Sequence, residues 1–305
     1  IFEKAIDCLC SPEKASILKI QSCALKSIHD FMFSKEVRQI LPVIISPITD
    51  PLSHDVFDAG FLYFGQELQL TKSMILHKQI ALMHDGYDAI YAVSPCVRLE
   101  KDTTTSRHLL EFSQVDFEFK DYSKEDVMHF MEELIVHVFS FVKDECKYEL
   151  TELGRSLSVP TTPFKVFDKD EVEEKLGIDY EKLLSEQEKH SFLIISHERE
   201  FYDKEDPVKP GKYLNYDLVY PEGFGEALSG GEREHEHEQI LKRMKRLGMD
   251  LEKYSSFVHL AERGILPKTA GAGFGVERLV RYLTGAKHIK DVVLFPKVPG
   301  EKVVL

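Results

Sequence analysis

Arg98-Leu99-Glu100, continued by Arg107-His108 and Glu111-Phe112, and the distant Gly271-Ala272-Gly273-Phe274-Gly275-Val276-Glu277-Arg278 are the stretches on which the fold turns. In the first, Arg98 and Glu100 stand two apart, so on one strand they share a face. A polar loop follows, and Phe112 to Lys120 then alternates as a returning strand. Phe112, Gln114, Asp116 and Glu118 occupy one face, against Ser113, Val115, Phe117 and Phe119 on the other. In the second stretch, glycines at 271, 273 and 275 let backbone approach a ligand, and Arg278 falls in the first turn of a helix. With Val276 in place and no third glycine at the required position, this is not the dinucleotide fingerprint.

Outward from these two stretches, the pattern is of strands joined by hairpins with helices grouped around them. Glu13 to Phe33 has helical apolar spacing; Ile40 to Ile48 reads as a strand punctuated by Pro42 and Pro47; Phe61 to Thr71 reads as a hairpin around Gly65. A helix over Ser73 to His84 and a strand over Ala89 to Arg98 come next, and a long helix over Ser123 to Cys146 begins at a serine cap. Thr151 to Pro163 reads as a loop. A short strand and acidic helices follow to Glu188, and about 151–190 is taken as an insertion. Strands are expected over Ser191 to Arg199 and Tyr213 to Tyr220, and helices over Glu232 to Leu247 and Leu251 to Gly264. Lys268 to Gly273 leads into the final helix. The expected class is α+β, an antiparallel sheet flanked by helices in a single domain over 1–305.

The chain has 305 residues, 43% hydrophobic and 30% charged, as in a globular protein with a substantial core. No apolar run is long enough to span a membrane, and the first residues do not form a signal peptide. Cysteines at 8, 10, 23, 96 and 146 have no metal or disulfide spacing, which implies reduced thiols in the cytoplasm. With 39 basic and 52 acidic residues the net charge is −13, which argues against an extended basic face for DNA or a large RNA. The one dense basic cluster, Lys242-Arg243 with Lys245-Arg246, is read as a solvated helix end that complements the dipole. Glu232 to Glu238, with His235 and His237, is likewise read as a solvated helical face and not a metal site.

Two guanidiniums, a carboxylate and an aromatic plane form the set that a bent ATP requires. Arg98 can neutralise an α-phosphate as charge shifts, Glu100 can accept from an exocyclic amine, and Phe112 offers a stacking plane. Gln114 and Asp116 offer partners for a substrate ammonium. Farther on, Asp217, Glu226, Ser229-Gly230-Gly231 and Arg233 include a carboxylate and a hydroxyl suited to holding Mg²⁺ against phosphates.

In this order and spacing the segments resemble the catalytic core of the class II aminoacyl-tRNA synthetases, aspartyl/asparaginyl/lysyl subgroup. The resemblance covers almost the whole chain, with the Pro47 segment as motif 1 and the two quoted stretches as motifs 2 and 3. It implies a dimer formed through motif 1, with Arg98 and Arg278 catalytic together with Asp116. It also implies ATP contacts at Arg98, Glu100, Arg107, His108, Phe112, Glu226 and Arg278, and Mg²⁺ on Glu226 and Ser229. The aspartate contacts fall on Ser73, Lys78, Gln114, Asp116, Gly231 and Arg233.

Leu70 to Gln79 resembles the substrate loop of the aspartyl enzymes and keeps its lysine, Lys78. With Arg233 it would clamp a carboxylate and reject a neutral amide. Ile75 stands where the family has a glutamine, and Ser46 where it has a glutamate. Motif 1 material begins within the first fifty residues, so the subgroup's anticodon-binding barrel is read as absent. The chain is thus similar to the archaeal asparagine synthetases related to asparaginyl-tRNA synthetase. The resemblance implies that aspartate is adenylated, AMP and pyrophosphate are released, and ammonia is the acceptor, with Asp50, Asp55 or Asp58 seating ammonium; tRNA is not expected as a partner. The alternative is a paralogue that transfers aspartate or asparagine to tRNA, and a third reading is a non-catalytic ATP or amino-acid sensor.

Overall fold

The order of strands in one large sheet explains why the two quoted stretches meet. A computed structural model describes residue 6 and residues 9–304. Its first half runs α1 (Pro12–Ser34), β1 (Arg38–Gln39), β2 (Ile45–Ser46), β3 (Val56–Phe57), β4 (Gly60–Tyr63), β5 (Gln66–Leu70), α2 (Ile75–Ala81), β6 (Ala89–Val97), β7 (Leu99–Glu100), β8 (Glu111–Lys120) and α3 (Lys124–Glu145). Its second half runs α4 (Lys147–Glu152), β9 (Lys165–Asp168), α5 (Lys169–Leu176), α6 (Tyr180–Gln187), β10 (Phe192–Ile195), β11 (Asn215–Tyr220), β12 (Gly225–Glu232), α7 (His237–Arg246), α8 (Ser255–Glu262), β13 (Thr269–Gly275) and α9 (Val276–Thr284). The sheet has eight strands in the order β1-β6-β8-β13-β12-β11-β10-β9. From β6 to β10 every pairing is antiparallel; only the edge pairs β1–β6 and β9–β10 are parallel. Strand β13 lies against β8 with Gly273 opposite Asp116 and Gly275 opposite Gln114, so the glycine-rich strand and the returning strand are direct neighbours.

The alternation along β8 sorts its side chains as expected. Val115, Phe117 and Phe119 enter the main core, where the Phe117 and Phe119 rings pack on Phe130 of α3, and α1 adds Ile20, Ala24 and Ile28. Burying a side chain of this size contributes about 1.5–3 kcal/mol. Helix α3 begins in a capping box: Ser123 Oγ accepts from Asp126 N, and the Asp126 carboxylate accepts from Ser123 N. On the opposite sheet face a smaller core of Ile48, Leu76, Phe201, Tyr202, Ile240 and Phe257 holds α2, α7 and α8. The expected insertion extends the sheet edge: Val172 and Leu184 pack on Phe192, Ile194 and Val219.

Several expectations change. Ile40 to Ile48 yields only the two-residue strand β2, with β1 just ahead of it, since Pro42 and Pro47 lack ladder donors and Leu41, Ile44 and Ile45 are exposed. Arg98 and Glu100 do not share one strand: β6 ends at Val97, and Leu99–Glu100 pairs instead with Val56–Phe57. Gly225 to Glu232 is a central strand where none was expected. Glu232 ends it, so the helix begins only at His237, and Glu232 and Glu234 are buried, not solvated. Thr269 to Gly275 is a strand rather than a lead-in. The hairpin at Gly65 does form, with Phe64 (φ 47°) and Gly65 (φ 77°) as the two residues between Tyr63 and Gln66, the left-handed pair that a type I′ turn uses. No helix among the described residues is long and apolar enough to cross a membrane. Cys10, Cys23, Cys96 and Cys146 are free thiols; Cys8 lies outside the described residues.

Candidate functional site

Above the β8–β13 face lies a cavity of about 560 Å³, of the size that takes a nucleotide or comparable ligand. Of the residues that the resemblance assigns to ATP, aspartate and Mg²⁺, all line it except Gly231. A Cβ on Gly231 would come within 2.7 Å of Leu214 O, so this glycine permits strand packing.

At one end the motif 2 residues converge. Arg98 donates through Nε to Lys72 O at 3.0 Å, and its guanidinium lies 5.1 Å from the Phe112 ring centroid. Glu100 is buried, and both its oxygens are within hydrogen-bond distance of His54 Nε2, at 2.9 and 3.1 Å. Burial pushes the Glu100 carboxyl up, but the His54 bond and the charges of His54, His108 and Arg98 together outweigh it and the carboxyl is lowered; the same bond raises His54. Neither His54 nor its bond to Glu100 carries a signal in the sequence. Glu277, beside Arg278, accepts Ser113 N at 2.9 and 3.1 Å and so ties α9 to β8; burial pushes its carboxyl up to about 7.

The middle of the cavity is rich in arginine. Arg278 Nη1 lies 3.5 Å from Glu226 Oε1. Burial would raise the Glu226 carboxyl, yet Arg278, Arg199, Arg107 and Arg98 together hold it at about 2. His108 is pushed down to about 4 by burial and by Arg278, so at neutral pH it is an uncharged hydrogen-bonding group. Asp217 and Ser229 are cross-strand partners on β11 and β12, and Arg199 bonds both. Asp217 Oδ1 is buried without a partner among the described residues. That orphaned oxygen lies on the strand opposite Ser229, and Glu226 and Ser229, which both line the cavity, are the hard oxygen donors that suit a divalent cation completing its shell with phosphates and water. No group of three His, Cys, Asp or Glu side chains suited to a metal occurs among the described residues, so the protein itself offers only a partial shell.

The other end is an ion network. Lys78 is 3% exposed; its Nζ donates to Asp116 Oδ1 at 3.2 Å and Ala272 O at 3.0 Å and lies 3.3 Å from Glu118 Oε2. Arg233 donates through Nε and Nη2 to the two oxygens of Glu118, at 3.0 and 3.2 Å. Its Nη1 stands 3.8 Å from Asp203 Oδ1, beyond a hydrogen bond. Ser94 Oγ donates to Asp116, and Thr269 Oγ1 to Glu118. Ser73 Oγ and Tyr202 OH donate to Asp50. Gln114 accepts from Cys96 Sγ at 3.5 Å. Gly273 is open of necessity: a Cβ there would meet Gln114 Nε2 at 2.3 Å and Asp116 Oδ1 at 2.5 Å.

Sequence reasoning missed Glu118 as the central anion, and with it Arg199, Glu200, Tyr202 and Asp203. The Glu200 carboxyl bonds its own backbone N–H and no other side chain among the described residues, and burial beside Asp50 and Asp203 raises it to about 7. Of the expected ammonium carboxylates, Asp50 and Asp55 line the cavity and Asp58 does not. Ile75 also lines it, whereas Ser46 turns to His77. The basic cluster is not simply a solvated face: Arg243 is buried and donates to Arg199 O and Glu200 O, which fixes the segment that carries both residues.

Comparison with known proteins gives one family. The family described as tRNA synthetases class II (D, K and N) matches residues 2–299. An aspartate–tRNA(Asp/Asn) ligase of Methanothermobacter thermautotrophicus is 34% identical over 94% of this chain and 68% of its own length. An asparagine–tRNA ligase of Thermococcus gammatolerans is 28% identical over 95% of this chain and 70% of its own. The crystal structure of asparaginyl-tRNA synthetase from Pyrococcus horikoshii complexed with asparaginyl-adenylate superimposes with a TM-score of 0.87 at 26% identity, covering 96% of this chain and 71% of that one. The expectation that tRNA is not a partner finds no support in relatives with these names.

Proposed function

This chain belongs to the class II tRNA synthetases of the D, K and N group, a ligase of the aminoacyl-tRNA synthetase kind, and from that premise we propose that it adenylates aspartate and passes the aspartyl group to tRNA. The observation that carries the reading is the single cavity in which Arg98, Glu100 and Phe112 stand at one end and the Lys78–Asp116 and Arg233–Glu118 pairs at the other. A carboxylate oxygen of the amino acid attacks the α-phosphorus, the bond to the β-phosphate oxygen breaks, and pyrophosphate leaves. Arg98 takes up the charge that develops on the α-phosphate, and Arg278, Arg107 and neutral His108 meet the outer phosphates. Glu226 and Ser229, with Asp217, would hold Mg²⁺, which supplies charge neutralisation to the leaving group. Lys78 is committed to Asp116 and Glu118, so the open donor edge for the substrate's second carboxylate is Arg233 Nη1. An amide would leave that edge poorly paired, which supports aspartate over asparagine.

Glu200 favours a second reading. A carboxylate without a partner side chain, near Asp50 and Asp203 at the amino-acid end, suits a cation, and ammonia as acceptor would make the product asparagine. One assay separates the two: AMP release from ATP and aspartate, with tRNA or ammonium added in turn. Dependence on tRNA with a base-labile aminoacyl product supports transfer to tRNA; free asparagine formed without tRNA supports the second reading. ADP as product sinks both. A homodimer belongs to the same proposal, since Leu41, Ile44, Ile45 and the aromatic tip Leu62-Tyr63-Phe64 are exposed beside motif 1. Equilibrium sedimentation at the mass of one chain would end it.

A further inference from the structure

The geometry points to Glu181, on the helical insertion, as the positioning residue for Arg107 and through it for the outer phosphates of ATP. Arg107 stands on the polar loop between β7 and β8. Its one side-chain hydrogen bond among the described residues runs from Nη1 to Glu181 Oε1, at 3.0 Å. The same oxygen accepts the backbone N–H of Glu226 at 3.1 Å. One carboxylate oxygen therefore joins the motif 2 loop, helix α6 and the start of β12, where the candidate metal carboxylate sits.

Gly225 leaves room for this junction: a Cβ there would lie 2.4 Å from Arg107 Nη1 and 3.1 Å from Glu181 Oε1. Both side chains are about one-third exposed, so the pair adds little to folding. Its effect is on geometry. A guanidinium is a rigid planar fork, and fixing one edge on Glu181 leaves Nε and Nη2 aimed elsewhere as donors. Ordering the arginine before ATP arrives removes a cost that binding would otherwise carry, an effect of about fivefold in affinity.

This inference rests on the ATP-activating reading above, and nucleotide binding by calorimetry separates the two. A non-hydrolysable ATP analogue and AMP are titrated into wild type, Glu181→Ala, Glu181→Gln, Arg107→Ala and the Arg107→Ala/Glu181→Ala double variant. Glu181→Ala is expected to weaken the ATP analogue about fivefold and leave AMP unchanged. Glu181→Gln, which keeps an acceptor oxygen, should weaken it less, and stands in should the alanine variant fail to fold. The double variant should bind no worse than Arg107→Ala alone. Equal losses for ATP and AMP, additive losses in the double variant, or tighter ATP binding in Glu181→Ala each overturn the inference. A wild-type protein that binds neither nucleotide removes the activation reading itself, and this inference with it.

Discussion

The two ends of the cavity solve the problem of a charged ligand in opposite ways. At the end proposed for the nucleotide, Arg98, Arg107 and Arg278 stand on strand ends, loops and a helix start, partly open to solvent, each with a donor edge uncommitted. At the amino-acid end Lys78 and Arg233 are 3% exposed and bonded to Asp116 and Glu118. A polyanion can supply its own countercharge to open arginines. A small amino acid cannot desolvate two cations unaided, so the protein does it and leaves one edge to read the ligand.

The comparison breaks most visibly at Glu118. Glu118→Gln leaves Lys78 and Arg233 buried without their shared anion and should cost about 3–5 kcal/mol of stability in urea denaturation. A loss below about 1 kcal/mol would mean that the network is not what holds this end together. At the open end Arg98→Ala should leave stability nearly unchanged and lower pyrophosphate exchange by about 10²–10³. Gly273→Ala pushes Gln114 and Asp116 out of place and should raise the KM for the amino acid about tenfold, with ATP binding spared. An equal effect on ATP would mean that the ends are not separate.

The smallest effect concerns His54. Its pKa is raised from the ordinary 6.5 by Glu100, so the protonated latch is complete below pH 6.5 and fades as pH rises through the raised value. On the proposed reading, in which Glu100 accepts from the adenine amine, adenine competes with that latch. ATP affinity should therefore improve about twofold from pH 6 to pH 8.5 in wild type, and not in His54→Ala. A slope that survives the substitution would place the titrating group elsewhere.

What was legible before the structure follows the same division. Phe112 and Arg278 stand in short segments where strand alternation or glycine spacing signals their places, and Arg98 and Glu100 stand out as a charged pair ahead of the polar loop although the strand expected to carry both breaks at Val97. The amino-acid end depends on pairings remote in sequence. Glu118 shares the exposed-looking polar face of β8, and nothing local says that Lys78 and Arg233 will cover it. Strand β12 itself, Gly-Glu-Ala-Leu-Ser-Gly-Gly-Glu, has little β propensity and exists because β11 and β13 flank it. Arg199, Glu200 and Asp203 sit on an irregular segment without periodicity, held by the Arg243 side chain from a helix 40 residues farther along. The run Arg199-Glu200-Phe201-Tyr202, charges followed at once by buried aromatics, was the available hint.

The tie between Glu277 and Ser113 has a consequence for the molecule as a whole. A carboxyl that titrates near 4.5 when free and near 7 here must draw a proton from the medium as the chain folds, and Glu200 does the same. Folding and proton uptake are therefore linked around neutrality. The contribution of these two groups is complete below about pH 4.5 and is lost as pH rises through 7. Burial of His77, His108 and His197 pulls the other way, so the share of Glu277 is read by difference: Glu277→Gln should shrink whatever advantage pH 6 has over pH 8 in the melting temperature of the wild type.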